Sequence, residues 1–595
     1  MNKRVTKIGW IVLAALLTLS LILVPGCTTP AEQEEEEEPQ IEIPFRNPDS
    51  FVQMIIAEPD SLDPAWGYDT ASGEQVQYMY ETLIYYDREK SDEFVPVLAT
   101  EWEWNDADLT WTLKIREGVK FHEGGDLSPE DVEYSFERAM VQDRGGGPVW
   151  MLFQPLLDAW TSSEVTFADI DGAVEVDGDS VVFTLAGDYW QFPFLQILCG
   201  AWASIVDKEW CIANGDWPGT EETWMDYNNP PEESDTILFD QANGTGRWKL
   251  DEWDHGNQVK LDKFDEYWGT PAPFDHVITQ LVEEYTTRKL ALLAGDADFI
   301  DVPRAYIEEL LEIDDITKWA ELPGIHVDAF FFTFELVEDS PYIGSGKLDG
   351  EGIPPDFFSD LDVRKGCAYA FDYETYLQDA LLGEGQFLGS PVPEGLYGYD
   401  PDASKYTYDL AKAEEHLKAA WGGELWEKGC KFTLLYNAGN INRRTAAELV
   451  AEGLYAVNEK FQVLIQPISW GNYVDLFLTF GCPIFCVGWT ADYPHADNFI
   501  VPFMHSIAGT FSAWQPYGYP ELDDKITAAF RETDPEEQLA KYAELQQIYF
   551  DECPGFLLVQ TAGRRFFTKY IDGFYYNPMI YGNAGPLWDM SKSES

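Results

Sequence analysis

The run Ile484 to Val487 is short and wholly apolar, lies between Pro483 and Gly488, and leads into Gly488-Trp489-Thr490-Ala491-Asp492-Tyr493. Short apolar runs bounded by Gly and Pro read as buried strands, and in open α/β sheets ligands bind just past a strand's carboxyl end. The segment therefore predicts an α/β protein in which Asp492 stands between aromatics at the mouth of a sheet. A buried carboxylate is costly unless a positive group meets it. The partner this predicts is an amine supplied by a ligand.

The amino terminus carries export signals. Lys3, Arg4 and Lys7 precede an apolar stretch from Ile8 to Val24, and Val24-Pro25-Gly26-Cys27 closes it. This is a signal-peptide layout, with a membrane-spanning anchor as the alternative. The small residues before Cys27 resemble a bacterial lipobox, which implies that residues 1–27 are a lipoprotein signal and that Cys27 is the lipidated residue. Residues 28–44 include the unbroken run Glu34 to Glu38 with Pro30, Pro39 and Pro44. Such a run buries no apolar surface and reads as an extended tether.

The formal charge of −68 argues against nucleic acid, whose phosphates would be repelled. It also disfavours docking on anionic lipid except through the anchor. Charges more than about 8 Å apart are largely screened at physiological salt, so the shell as a whole reads as solvation suited to a saline setting. Only acids beside a pocket could steer a ligand.

A chain of 595 residues exceeds the ~250–300 at which single cores stop growing, so at least two lobes are expected. Leu109, Trp111, Leu113 and Ile115 alternate with polar residues as in a half-buried strand, and so do Val181, Phe183 and Leu185. Ser128-Pro129-Glu130-Asp131 reads as the cap and first turn of a helix with Val132, Phe136, Ala139 and Met140 inward. Asp409 caps a helix with the stripe Leu410, Ala413, Leu417 and Ala420. Asp534-Pro535 starts another with Leu539, Tyr542, Leu545 and Ile548 inward, stopped by Pro554. Beyond Cys27 seven cysteines remain, and export permits disulfides. The local candidates are Cys199 with Cys211 and Cys482 with Cys486. No CxxC or His-rich pattern suggests a structural metal.

Several landmarks follow one another in a familiar order. Glu58-Pro59-Asp60-Ser61-Leu62-Asp63-Pro64 opens the series, then Tyr80-Glu81-Thr82-Leu83, Val95 to Ala99, Leu113 to His122 and Glu130-Asp131-Val132. Gly244-Thr245-Gly246, Tyr267-Trp268-Gly269, Gly295-Asp296-Ala297-Asp298, Val363-Arg364-Lys365 and Ala368 to Asp372 continue it, and Gly488 to Asp492 completes it. Together they resemble the family 5 extracellular solute-binding proteins, the oligopeptide, dipeptide and nickel receptors of ABC importers. The resemblance implies a two-lobed periplasmic-binding-protein-like α/β fold of the cluster C type, with an extra N-terminal subdomain. On that pattern residues 45–325 form one lobe with its inserted subdomain, 326–562 the second, and 563–595 return to the first. It also implies no catalysis and no cofactor, a monomeric receptor, and permease subunits as partners.

Carried over residue by residue, the resemblance makes Asp492 the acid that meets a peptide's α-amino group. Gly488 and Thr490 would offer backbone hydrogen bonds to an extended ligand, and Trp489 and Trp470 would wall the cleft. In dipeptide receptors an Arg that meets the ligand carboxylate aligns with Tyr436, so that clamp is missing. Longer peptides remain compatible, and so does an oligosaccharide, whose apolar faces suit aromatic rings. Arg443 and Arg444 read as a solvated first helical turn. A nickel chelate would have only His495 nearby. No GxSxG, HExxH or P-loop pattern supports a secreted hydrolase.

Overall fold

The computed structural model describes residues 41–231, 233–582 and 584–594. The signal, Cys27 and most of the tether lie outside them.

Three sheets organise the α/β body. The largest has seven strands in the order Ile316–Leu322, Gly563–Thr568, Phe299–Ile300, Ser50–Ile55, His276–Leu281, Gln258–Lys263 and Trp248–Asp254. Its middle is parallel: Ser50–Ile55 pairs in parallel with both His276–Leu281 and Phe299–Ile300. The second sheet has four strands in the order Gln386–Phe387, Gly555–Gln560, His326–Phe332 and Ile484–Thr490. The third joins Ala99–Asn105, Thr110–Ile115, Ser180–Thr184 and Val174–Asp177 in an antiparallel sheet.

The chain leaves the seven-stranded sheet at Leu322, enters the second at His326, and returns between Gln560 and Gly563. The two crossings lie side by side. Gln560 Nε2 donates to the Gly324 carbonyl at 2.9 Å, and a Cβ on Gly324 would collide with the Thr561 carbonyl oxygen. Only a residue without a side chain lets these segments touch.

Local sequence explains most elements. Ser128 and Asp131 form a capping box at the start of the helix Pro129–Gln142, with proline in its first turn. Asp409 and Asp534 each accept two backbone N–H bonds at the starts of Leu410–Ala419 and Pro535–Glu552. Leu539 differs from expectation: it is 41% exposed, because the latter helix buries Tyr542, Leu545, Gln546 and Tyr549 and begins its contact one turn later. Leu109 lies in the hairpin turn with φ of 54°, and its strand starts at Thr110.

The cysteine pairing is corrected outright. All seven described cysteines are free and buried. Cys199 and Cys211 sit in different hydrophobic cores. Cys482 lies just ahead of the extended strand that holds Cys486. Cys482 and Cys486 likewise sit in different hydrophobic cores, and Cys482 Sγ donates instead to the Ile484 carbonyl at 3.2 Å.

Candidate functional site

The strand Ile484–Thr490 lies at one edge of its sheet, paired antiparallel only with His326–Phe332. On its outer side the Cys486 N–H donates to Tyr473 Oη at 2.9 Å, and Tyr473 Oη donates to the Leu435 carbonyl at 2.9 Å. That hydroxyl plugs the edge where it faces the parallel pair Cys430–Asn437 and Phe461–Ile468. Backbone groups along a strand alternate in direction, so Gly488 and Thr490 turn the same way as Cys486. Both line a cavity of about 120 Å³, as do Asp492, Trp489 and Trp470. All five expected residues are thus brought together.

Asp492 is 6% exposed. Its Oδ1 accepts from Tyr581 Oη at 2.6 Å, and its Oδ2 from Tyr68 Oη at 2.8 Å and Asn498 Nδ2 at 2.9 Å. Its own N–H donates to Asn498 Oδ1 at 2.7 Å. Burial pushes the carboxyl up to about 6 against the pull of the three donors. Burial, followed by the Asp492 charge, raises both phenols, so they act as neutral donors. Among the described residues no cation pairs with Asp492. A carboxylate has about four acceptor sites, and these bonds use three.

Sequence reasoning missed Tyr68, Tyr581 and Asn498. The tyrosines lie 424 and 89 positions from Asp492 and carry no local mark. The Asn498 backbone carbonyl also accepts from Trp489 Nε1 at 2.7 Å, so this one buried residue holds the turn after the strand through both its side chain and its main chain. Trp489 is mostly packed: it meets Tyr68 and Phe511 edge-on, each at 5.3 Å between centroids. Trp470 begins the helix Trp470–Leu478, with the Arg443 guanidinium 5.7 Å from its ring centroid.

Arg443 departs from the solvated reading. Its side chain is 12% exposed, against 53% for Arg444, which pairs with Glu448 at 2.8 Å. Arg443 Nη1 donates to Asn437 Oδ1 at 2.9 Å, and Nη2 lies 3.6 Å from Asp328. The helix Ile441–Val457 buries Ala446, Ala447 and Val450, and helical spacing puts Arg443 on that face. Asp328 meets His326 Nε2 at 3.3 Å, and His326 Nδ1 is 3.0 Å from Thr490 Oγ1. Burial alone would raise Asp328, yet His326 and Arg443 override it and hold the carboxyl at about 2.

Gly488 makes this chain of contacts possible. It pairs with Asp328 across the ladder, and a Cβ there would strike the His326 ring and come within 2.9 Å of Asp328 Oδ1. Gly488→Ala should displace His326 and cost about 1–3 kcal/mol of stability, read as a lowered melting temperature. An unchanged melt would show that the ring yields freely.

His495 lies outside this cavity, its ring bonded to Asp497 and set against Tyr397 and Tyr542. Tyr436, on the strand Cys430–Asn437, does not line it either.

Comparisons agree with this architecture. The profile of the bacterial extracellular solute-binding proteins, family 5 (middle), matches residues 93–511. The dipeptide-binding protein of Escherichia coli K12 is 24% identical over 502 residues, covering 82% of this chain and 84% of that one. The solved DppA of Helicobacter pylori, in complex with the peptide STSA, superposes with a TM-score of 0.72 at 22% identity, covering 91% of this chain and 98% of that one. AppA of Bacillus subtilis, in complex with a nonapeptide, gives 0.74 at 20% identity, with coverage of 92% and 99%. The chain belongs to the family 5 bacterial extracellular solute-binding proteins.

Proposed function

We propose that the protein is a lipid-anchored, extracytoplasmic receptor that captures oligopeptides between its lobes and hands them to an ABC importer. The observation that carries the reading is Asp492: a buried carboxylate ringed by neutral donors, with an acceptor site to spare, beside an edge strand whose Gly488 and Thr490 point outward. A peptide's ammonium would supply the missing charge, and its backbone would add to the edge as a short strand. Similarity to proteins named for binding dipeptides and crystallised with peptides supports the same class.

In this reading residues 45–325 and 563–595 form one lobe and 326–562 the other, the monomer hinging at the paired crossings beside Gly324. Tyr68 follows Ser50–Ile55 of the seven-stranded sheet and Tyr581 lies on the chain's return beyond Gly563–Thr568 and the short strand Ile571–Asp572, whereas Asp492 follows the second sheet. Their hydrogen bonds to Asp492 would then form across the closing cleft. Cys27 would carry the lipid and residues 28–44 would act as the tether. The protein would bind without catalysing.

Tryptophan fluorescence titration with free and N-acetylated peptides tests the reading. Acetylation should weaken binding at least about ten-fold, since it removes the charge that Asp492 lacks. Equal affinities would overturn the amine role. Saturable binding of cello- or xylo-oligosaccharides in place of peptides would overturn the ligand class.

A further inference from the structure

The cavity of about 120 Å³ at Asp492 has a second chemical character. Trp470, Trp514, Thr510 and Arg443 line it, and each holds a buried polar atom with no protein partner among the described residues: Trp470 Nε1, Trp514 Nε1, Thr510 Oγ1 and Arg443 Nε. The two indole N–H groups and the guanidinium Nε–H can only donate, whereas the hydroxyl donates or accepts. Buried donors left unmade are costly, and folded proteins keep few of them. Here four such groups gather around one small space.

The framework holds these groups in place. Trp514 stacks on Phe477 at 5.2 Å between centroids and meets Phe511 edge-on at 5.5 Å. A Cβ on Gly146, which lines the cavity with φ of 71°, would come within 3.2 Å of Trp514 Nε1, so the glycine leaves that N–H uncovered. Arg443 spends Nη1 on Asn437 and turns Nη2 to Asp328, and Nε is what remains. Val474, Val487 and Phe511 supply apolar wall in the same cavity. Such a space suits a side chain with an apolar stem and an oxygen near its tip.

Charge decides which oxygen. Asp60 and Asp69 line the cavity with Asp492, against Arg144 and Arg443. Asp60 lies 3.4 Å from Arg144, Asp69 accepts from the Ala71 and Ser72 N–H groups at 2.9 and 3.1 Å, and Arg443 already faces Asp328. A carboxylate would add negative charge where no positive charge is in excess. An ammonium or guanidinium would set donors against donors, and a hydrocarbon would leave them unmade. A carboxamide avoids all three faults: its oxygen accepts from the N–H groups, and its own hydrogens suit Thr510 Oγ1.

We infer that this cavity selects peptides whose first residue is asparagine or glutamine, with Trp470, Trp514, Thr510 and Arg443 as the specificity-determining residues. The inference rests on the peptide reading above, which puts the first residue's amine at Asp492 and hence its side chain in this space. Water serves such donors in an open cleft, and a side chain that displaces it without bringing an acceptor strands them.

The test is calorimetric titration of the full chain with tetrapeptides that differ only in the first residue, followed by three alanines. Asparagine is compared with leucine, which has the same branching, and glutamine with methionine and glutamate. In at least one of the two series the carboxamide should bind about ten-fold or more tighter than its hydrocarbon or thioether counterpart. In the double variant Trp470→Phe, Trp514→Phe, which keeps the rings and removes both N–H groups, that gap should close. If no tetrapeptide binds, the peptide reading fails and this inference falls with it. If peptides bind and the first side chain makes no difference, the inference alone is overturned. Glutamate binding as tightly as glutamine would overturn the choice of a neutral carboxamide, and a gap that persists in the double variant would overturn the assignment to the indoles. The comparison of peptides on the unaltered protein decides even if the variant folds poorly.

Discussion

Arg138→Met should lower the unfolding free energy by about 3–5 kcal/mol, the cost of stranding buried charge. Arg138, on the helix Pro129–Gln142, is 2% exposed and meets Asp63 through two bonds, Nη1 to Oδ1 at 2.9 Å and Nη2 to Oδ2 at 2.6 Å. Its Nε donates to Asp216 Oδ2 at 2.6 Å. Burial works against the guanidinium's charge, and the carboxylates of Asp216 and Asp63 overcome it, raising the group above its ordinary range. One cation thus ties the helix to the loop before Tyr68 and to the turn before Trp217.

Removing the cation leaves both acids buried, with only neutral donors, the N–H groups of Ala65 and Trp217 and the Gln142 amide, facing them. Methionine fills the stem volume, so the loss reports charge rather than a cavity. The double variant Arg138→Met, Asp63→Asn should recover part of it, because one of the two stranded charges is gone. Urea unfolding of the three proteins checks this. A double variant no more stable than Arg138→Met would locate the loss in packing.

How far the sequence carried the site follows from the range of the forces that build it. The strand Ile484–Thr490 and the caps at Ser128, Asp409 and Asp534 depend on neighbours within a few residues, and hydropathy and capping chemistry exposed them. The burial of Asp492 was equally legible. Its donors were not, because Tyr68 and Tyr581 are ordinary aromatics in an aromatic-rich chain until the sheets bring them together. Arg443 is a different case. Its place on the face of Ala446, Ala447 and Val450 was available from helical spacing, but its charge suggested solvent. The cysteines misled because proximity in sequence does not put two thiols in one core: Cys199 and Cys211, and likewise Cys482 and Cys486, pack into different ones.

Peptide affinity should have a plateau between about pH 6 and pH 8 and fall on either side. Burial raises Asp492 to about 6, opposed by Tyr581, Asn498 and Tyr68. Below that pH the carboxyl carries a proton that must leave before an ammonium can pair with it. Affinity then drops by up to about ten-fold per pH unit. The upper limb comes from the ligand, whose α-amine loses its proton near pH ~8. The tyrosines around Asp492, including Tyr493, are raised by burial and stay neutral throughout.

Asp69 lines the same cavity and is also raised to about 6, by burial and then by Asp60. Asp492→Asn separates the two. It should weaken binding by about 2–5 kcal/mol and abolish the acid limb, whereas a limb that survives belongs to Asp69. The same substitution should act oppositely on stability. The folded pKa of Asp492 lies above the unfolded value, so its favourable contribution is complete below pH ~4 and is lost as pH rises through about 6. At neutral pH the Asp492 carboxylate, with no cation paired to it, therefore costs the fold on the order of 2–3 kcal/mol. Asparagine should relieve part of that cost and raise the melting temperature while binding is lost. Peptide should raise the melting temperature of the unaltered protein and leave that of the variant nearly unmoved. A variant that melts lower and is still stabilised by peptide would mean that the Asp492 carboxylate serves the fold rather than the ligand.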